Sequence, residues 1–135
     1  MKNIDVLMER YHLPKEEIFE MVLGNGGGVL PGKLWHAYGV VVADNEMICY
    51  TVTEDQEFHI PYQSFQKAEF GIGNGNLWLQ CVIDGKELVF CSPRKQWKSS
   101  VGKRLIEKIS AVIPVESMKE YNAFTGKLFF LHMFK

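Results

Sequence analysis

Along this chain the spacing of apolar residues changes twice. From Lys33 to Cys91 they recur at every second position, and on either side they recur at every third or fourth. A period of two predicts strands, and a period near 3.6 predicts helices. The alternating stretch predicts strands near 33–37, 38–43, 46–52, 57–60, 66–72, 76–83 and 86–91. Their separators are turn residues: Asp44-Asn45, Glu54-Asp55, Asn74-Gly75 and Asp84-Gly85. Asn-Gly and Asp-Gly accept the positive φ angles that a two-residue type I′ hairpin demands. Before this stretch, Ile4, Leu7, Met8 and Tyr11 share one helical face, and Ile18, Phe19, Val22 and Leu23 share another. Pro14 with Glu16-Glu17 predicts the start of that second helix, and the run Asn25 to Gly28 its end. After the strands, Ser92 is placed to cap a helix that begins at Pro93. That helix carries Trp97, Val101, Leu105 and Ile109 as one stripe. Leu128 to Phe134 holds six apolar residues and His132, and reads as an extra strand.

Seven short antiparallel strands followed by one amphipathic helix predict a mainly β fold. The sheet bends and closes on itself, and the helix supplies the missing wall of the core. Glu57 to Phe65 reads as a corner in that sheet, because Pro61 has no N–H to give a ladder and belongs at a strand end. The expected parts are an N-terminal helical extension over 1–28, the β domain over 29–112, and a C-terminal extension with a strand over 113–135. A two-residue turn at Asp84-Gly85 sets a register: Ile83 opposite Lys86, Cys81 opposite Leu88, Leu79 opposite Phe90, Trp78 opposite Cys91. Leu77, Leu79, Cys81, Leu88 and Phe90 then face the core, while Trp78, Val82, Val89 and Cys91 face outward. An outward apolar strip must be covered, or it marks a binding surface. Trp78, Val82 and Val89, with Phe130 and Phe134 of the tail, are therefore the candidate interaction surface. The cover is the chain's own extensions, a second copy in a homodimer, or a ligand.

In the segments LWHAYGVVVADNEMICY, FHIPYQSFQKAEF and DGKELVF, and in the final helix with Trp97, the chain resembles the pleckstrin-homology superfold, in particular its bacterial and GRAM-like members. The resemblance runs from about Lys33 to Ile109. It implies a seven-stranded bent sheet capped by a C-terminal helix, with a ligand end near His36-Ala37-Tyr38, Thr53 to Gln56, and Asp84-Gly85. Phosphoinositide recognition needs clustered Lys and Arg. This end offers Glu54, Asp55 and Asp84 against Lys33 and Lys86, so no phosphoinositide is expected there.

At 135 residues, 47% hydrophobic and 23% charged, the chain is one globular domain. Fifteen Lys and Arg against sixteen Asp and Glu leave a net charge of -1, so total charge implies no polyanion partner. Arg94, Lys95, Lys98, Lys103, Arg104 and Lys108 give the last helix a basic side, read as a solvated face without the aromatics of a base-stacking platform. Neither nucleic acid nor an anionic membrane is an expected partner. The three cysteines have no CxxC spacing and read as buried, unpaired strand residues. The four histidines lack metal-ligand spacing. Gly71 to Asn76 is a hairpin turn rather than a phosphate loop, since a strand follows it. Ser64, Ser99 and Ser100 lie in no nucleophile context. With neither an uninterrupted signal segment nor a spanning apolar run, a cytoplasmic location is expected. The expectation is a non-enzymatic interaction module without cofactor, binding a protein partner or itself. A membrane-peripheral or small-ligand domain is the alternative.

Overall fold

The computed structural model describes residues 2–24, 35–73 and 76–117. Seven antiparallel strands form the sheet: β1 (Ile18–Gly24), β2 (Trp35–Val42), β3 (Glu46–Thr51), β4 (Gln56–Pro61), β5 (Phe65–Gly73), β6 (Asn76–Ile83) and β7 (Lys86–Pro93). Helix α1 (Asn3–Tyr11) precedes them, and helices α2 (Arg94–Trp97) and α3 (Ser100–Ser110) follow. A short β8 (Val115–Ser117) then pairs in parallel with β5, an element the sequence did not announce. The order across the sheet is β4-β3-β2-β1-β7-β6-β5-β8.

The helix expected after Pro14 is a correction. Lys15–Glu17 make only a turn of 3-10 helix, and Ile18 onward is β1, so the sheet begins within the stretch read as helical. Phe19, Met21 and Leu23 enter the main core, whereas Ile18 lies under α1 and Val22 packs beside Trp78. A strand buried on both faces loses its polar alternation, and its apolar residues then fit either period. The strands expected at 33–37 and 38–43 are one strand, β2. Gly39 is where this strand approaches α1 closely: a Cβ there would stand 2.8 Å from Leu7 Cδ1, a side-chain end that would have to shift.

Ser92 is not the helix cap. It lies buried in β7, where its hydroxyl donates to the Glu20 carbonyl at 2.7 Å. Ser99 caps α3 instead, accepting from the Gly102 N–H at 3.1 Å. From α2 and α3, Trp97, Val101, Leu105 and Ile109 enter the core, so the expected stripe is the plug of the curled sheet.

The corner joins strands that are neighbours in sequence and far apart in the sheet. β4 is the edge strand on one side, and β5 lies next to β8 on the other. Tyr62–Ser64 between them form a 3-10 turn. Its ends are pinned by the Tyr62 N–H to the Asn45 carbonyl at 3.2 Å and the Asp84 N–H to the Ser64 carbonyl at 3.3 Å. The Tyr62 hydroxyl also donates to the Ala43 carbonyl at 2.9 Å. Fold grammar is what the Pro61 corner provides. The strand expected at 128–134 lies outside the described residues.

Candidate functional site

The β6–β7 register is the one the turn arithmetic gives, with Trp78 opposite Cys91 and Cys81 opposite Leu88. Asp84 and Gly85 take the positive φ angles of 50° and 79° that the turn needs. The outward strip is nevertheless not open surface. Trp78 is 1% exposed and packs with Val89, Cys91 and Val22, and Val82 is half-buried. β1 runs beside β7 and brings Val22 opposite Cys91, which the helical reading of Ile18–Leu23 concealed. Phe130 and Phe134 lie outside the described residues. Among the described residues Val52, in the β3–β4 turn, is the exposed large hydrophobic. Cys49, Cys81 and Cys91 are unpaired and buried, and burial pushes the Cys91 thiol up to about 12.

A concave surface lies along α1, and Val22 and Cys91 of the Trp78 cluster border part of it. Two depressions flank Glu20 of β1. One, of about 320 Å³, is bordered by Lys2, Asn3, Ala37, Cys91 and Pro93. The other, of about 480 Å³, is bordered by Ile4, Lys15, Ile18, Gln96, Ser99 and Ser100. Glu20 borders both, and Asn3 and Ile4 are consecutive in α1, so the two are neighbours, and the second is a groove between α1 and the α2–α3 segment. Three contacts fix its banks. Asn3 Nδ2 donates to the Ala37 carbonyl at 2.9 Å, and the Val52 N–H donates to Asn3 Oδ1 at 2.7 Å. Arg104 meets Glu17 at 2.8 Å and ties α3 to the turn before β1. Ile4, Ile18 and Val101 are largely buried and floor the second depression. The hydroxyl of Thr51, buried and without a partner, borders neither depression.

A polar network holds the other end of α1. Glu57 accepts from Arg10 Nη1 and from the Tyr11 hydroxyl, each at 2.8 Å. His59 sits between two carboxylates, Nδ1 at 2.5 Å from Glu46 and Nε2 at 2.9 Å from Glu57. The hydrogen bond to Glu57, then that to Glu46, holds the imidazole above its ordinary 6.5. Partial burial would raise the Glu57 carboxyl, but hydrogen bonds from His59, Arg10 and Tyr11 outweigh it and the value is lowered. His59 is thus favoured as imidazolium, donating to both sides. Its two nitrogens point to different carboxylates, an arrangement that bridges β3 and β4 rather than converging on one ion. Among the described residues no group of three or more His, Cys, Asp or Glu is arranged to hold a metal. Sequence spacing missed this network because its members come from α1, β3 and β4. The i, i+2 pair Glu57 and His59 on one strand face was the legible signal.

The basic side of the last helix divides in two. Arg104 is paired with Glu17, and Lys108 lies 3.8 Å from Asp44. Arg94, Lys95, Lys98 and Lys103 are exposed and make no ion pair among the described residues. Among those residues, no helix is long and apolar enough to cross a membrane.

No family model matches the chain, and no curated protein matches it. Among solved structures, inner membrane complex sub-compartment protein 3 of Toxoplasma gondii is similar, with 13% identity, a TM-score of 0.44, and coverage of 82% of this chain and 85% of that one. The curled seven-stranded antiparallel sheet with its closing C-terminal helix decides the class on its own topology. The architecture fits a pleckstrin-like fold.

Proposed function

We propose that this chain is a non-enzymatic interaction module, kin to the bacterial and GRAM-like pleckstrin domains, that docks a segment of a protein partner. The observation that carries the reading is the groove between α1 and α2–α3. It is concave, floored by Ile4, Ile18 and Val101, and bordered by polar groups with no nucleophile–base pair between them. A concave surface with an apolar floor and a few polar groups is the usual form of a binding site, and folded domains also hold peptide segments in grooves. The strip of Trp78 and Val89, buried within the chain, leaves this groove as the better candidate for contact with a partner.

Selection of peptides from a random displayed library on the immobilised protein tests the reading. Selected peptides are expected to lose binding to Ser100→Tyr, which fills the groove from an exposed position, and to keep it with Gln63→Ala at the corner. An absence of selected peptides, or binding indifferent to Ser100→Tyr, would sink the proposal. Light scattering over a range of concentrations identifies a second copy as the partner if mass doubles in the native chain and stays single in Ser100→Tyr.

A further inference from the structure

We propose that the outer edge of β4 is a self-association surface, on which a second copy of this chain pairs its own β4 in antiparallel about a two-fold axis at Phe58. This surface is separate from the groove and does not rest on it. Among the described residues β4 pairs with β3 on one side and with no strand on the other. The Tyr62 N–H donates to the Asn45 carbonyl, so at that step of the ladder the backbone groups point toward β3. Along an antiparallel strand these groups alternate sides. Ile60, Phe58 and Gln56 therefore turn their N–H and C=O to β3, while Glu57 and His59 turn theirs outward. Pro61, next in the outward series, has no N–H and closes the usable edge. The window that remains, Gln56 to Ile60, is centred on Phe58.

A two-fold at Phe58 sets Glu57 of each copy opposite His59 of the other. Both residues present their backbone outward, so each facing pair can exchange two hydrogen bonds. Glu57 and His59 lie opposite Tyr50 and Ile48, on the side of the sheet that α1 covers. Their side chains carry opposite charge there, the carboxylate held by Arg10 and Tyr11 and the imidazolium by Glu46 and Glu57. Opposite charges facing across strands attract, and like charges repel. The register is thereby selected. A two-fold at Glu57 would set carboxylate on carboxylate, and one at His59 would set imidazolium on imidazolium. On the core side Phe58, half-buried and edge-on to Tyr38 at 5.4 Å, meets its own copy. A two-fold contact demands such self-complementarity. Charge ordinarily blunts an edge strand, but here the two signs are spaced so that a second copy neutralises them.

Light scattering and amide hydrogen exchange on the full chain test the pairing. Mass is expected to rise from one chain toward two between about 10 µM and about 1 mM, the range of a small contact. The Glu57 and His59 amides should exchange more slowly as it rises. His59→Glu and Glu57→Lys should each stay single over that range. An equal mixture of the two should double, since every facing pair is then of opposite sign. A native mass that stays single to about 1 mM overturns the inference, and slow exchange of both amides in that single chain would mean that it covers its own edge. A doubled mass with both amides exchanging at their dilute rate overturns it too, as does a folded mixture that stays single. Doubling that survives His59→Glu and is lost with Ser100→Tyr would move the self-contact to the groove and equally defeat the inference. If circular dichroism shows either β4 variant unfolded, the two amides of the native chain decide.

Discussion

Gly102 permits α3 to lie against α2. A Cβ there would come within 2.3 Å of the Gln96 carbonyl oxygen and 2.8 Å of that of Trp97, both backbone atoms that cannot swing aside. Gly102→Ala is therefore expected to lower stability by about 1–3 kcal/mol through overpacking. The urea midpoint measures it, with Ser100→Ala as the neutral comparison. His59 makes the second residue-scale prediction. Its folded value is raised by Glu57 and Glu46, so its stabilisation is fully present below the ordinary 6.5 and disappears as pH rises through the folded value. The advantage of the native chain over His59→Gln should be larger at about pH 5.5 than at about pH 8.5. The ring is nearly half exposed, so screening keeps the effect modest. A difference that grows toward high pH would contradict the bridging role.

At the scale of elements, Trp97 is the test of the plug. It is 5% exposed, meets a tilted Phe19 ring at 4.8 Å and an edge-on Phe70 ring at 5.1 Å, and donates its indole N–H to the Leu77 carbonyl at 3.1 Å. Trp97→Ala should cost about 3–5 kcal/mol in unfolding free energy, and Trp97→Phe, which keeps a ring in place, distinctly less. An unmoved urea midpoint for Trp97→Ala would mean the helix does not close the sheet. The stripe and the β6–β7 register were legible because a helix face and a two-residue turn are local rules. β1 was not legible, since Ile18 and Val22 are covered by α1 and by the Trp78 cluster, partners that only the fold supplies. Ser92 and Ser99 illustrate the same limit. Either suits a cap by type, and only the extension of β7 through Pro93 decides between them. The short β8 had no signal beyond three residues after Pro114, too few to show a period.

For the whole molecule, a net charge of -1 conceals an uneven surface. Carboxylates gather around Glu46 and Glu57, and unpaired cations gather on α2 and the start of α3. The cations were legible in sequence, but the groove beside them was not, because its banks come from segments some ninety positions apart. The strand order has a further consequence, for folding kinetics. β1 to β4 and β5 to β7 are each a meander of hairpins whose contacts are local, whereas β1 meets β7 across half of the chain's length, Leu23 facing Phe90. Local pairs form cheaply and distant ones bear the entropy of closing a long loop, so the β1–β7 seam is expected to zip last. Ser92→Ala probes that seam by removing its hydrogen bond to the Glu20 carbonyl, at a cost of about 0.5–1.5 kcal/mol. In stopped-flow chevrons it should speed unfolding and leave the folding limb in place, and a slowed folding limb would put the seam in the nucleus instead. Two half-formed meanders, each exposing the edge that the seam later covers, are then the species through which this chain passes, and the seam is where aggregation competes with completion of the sheet.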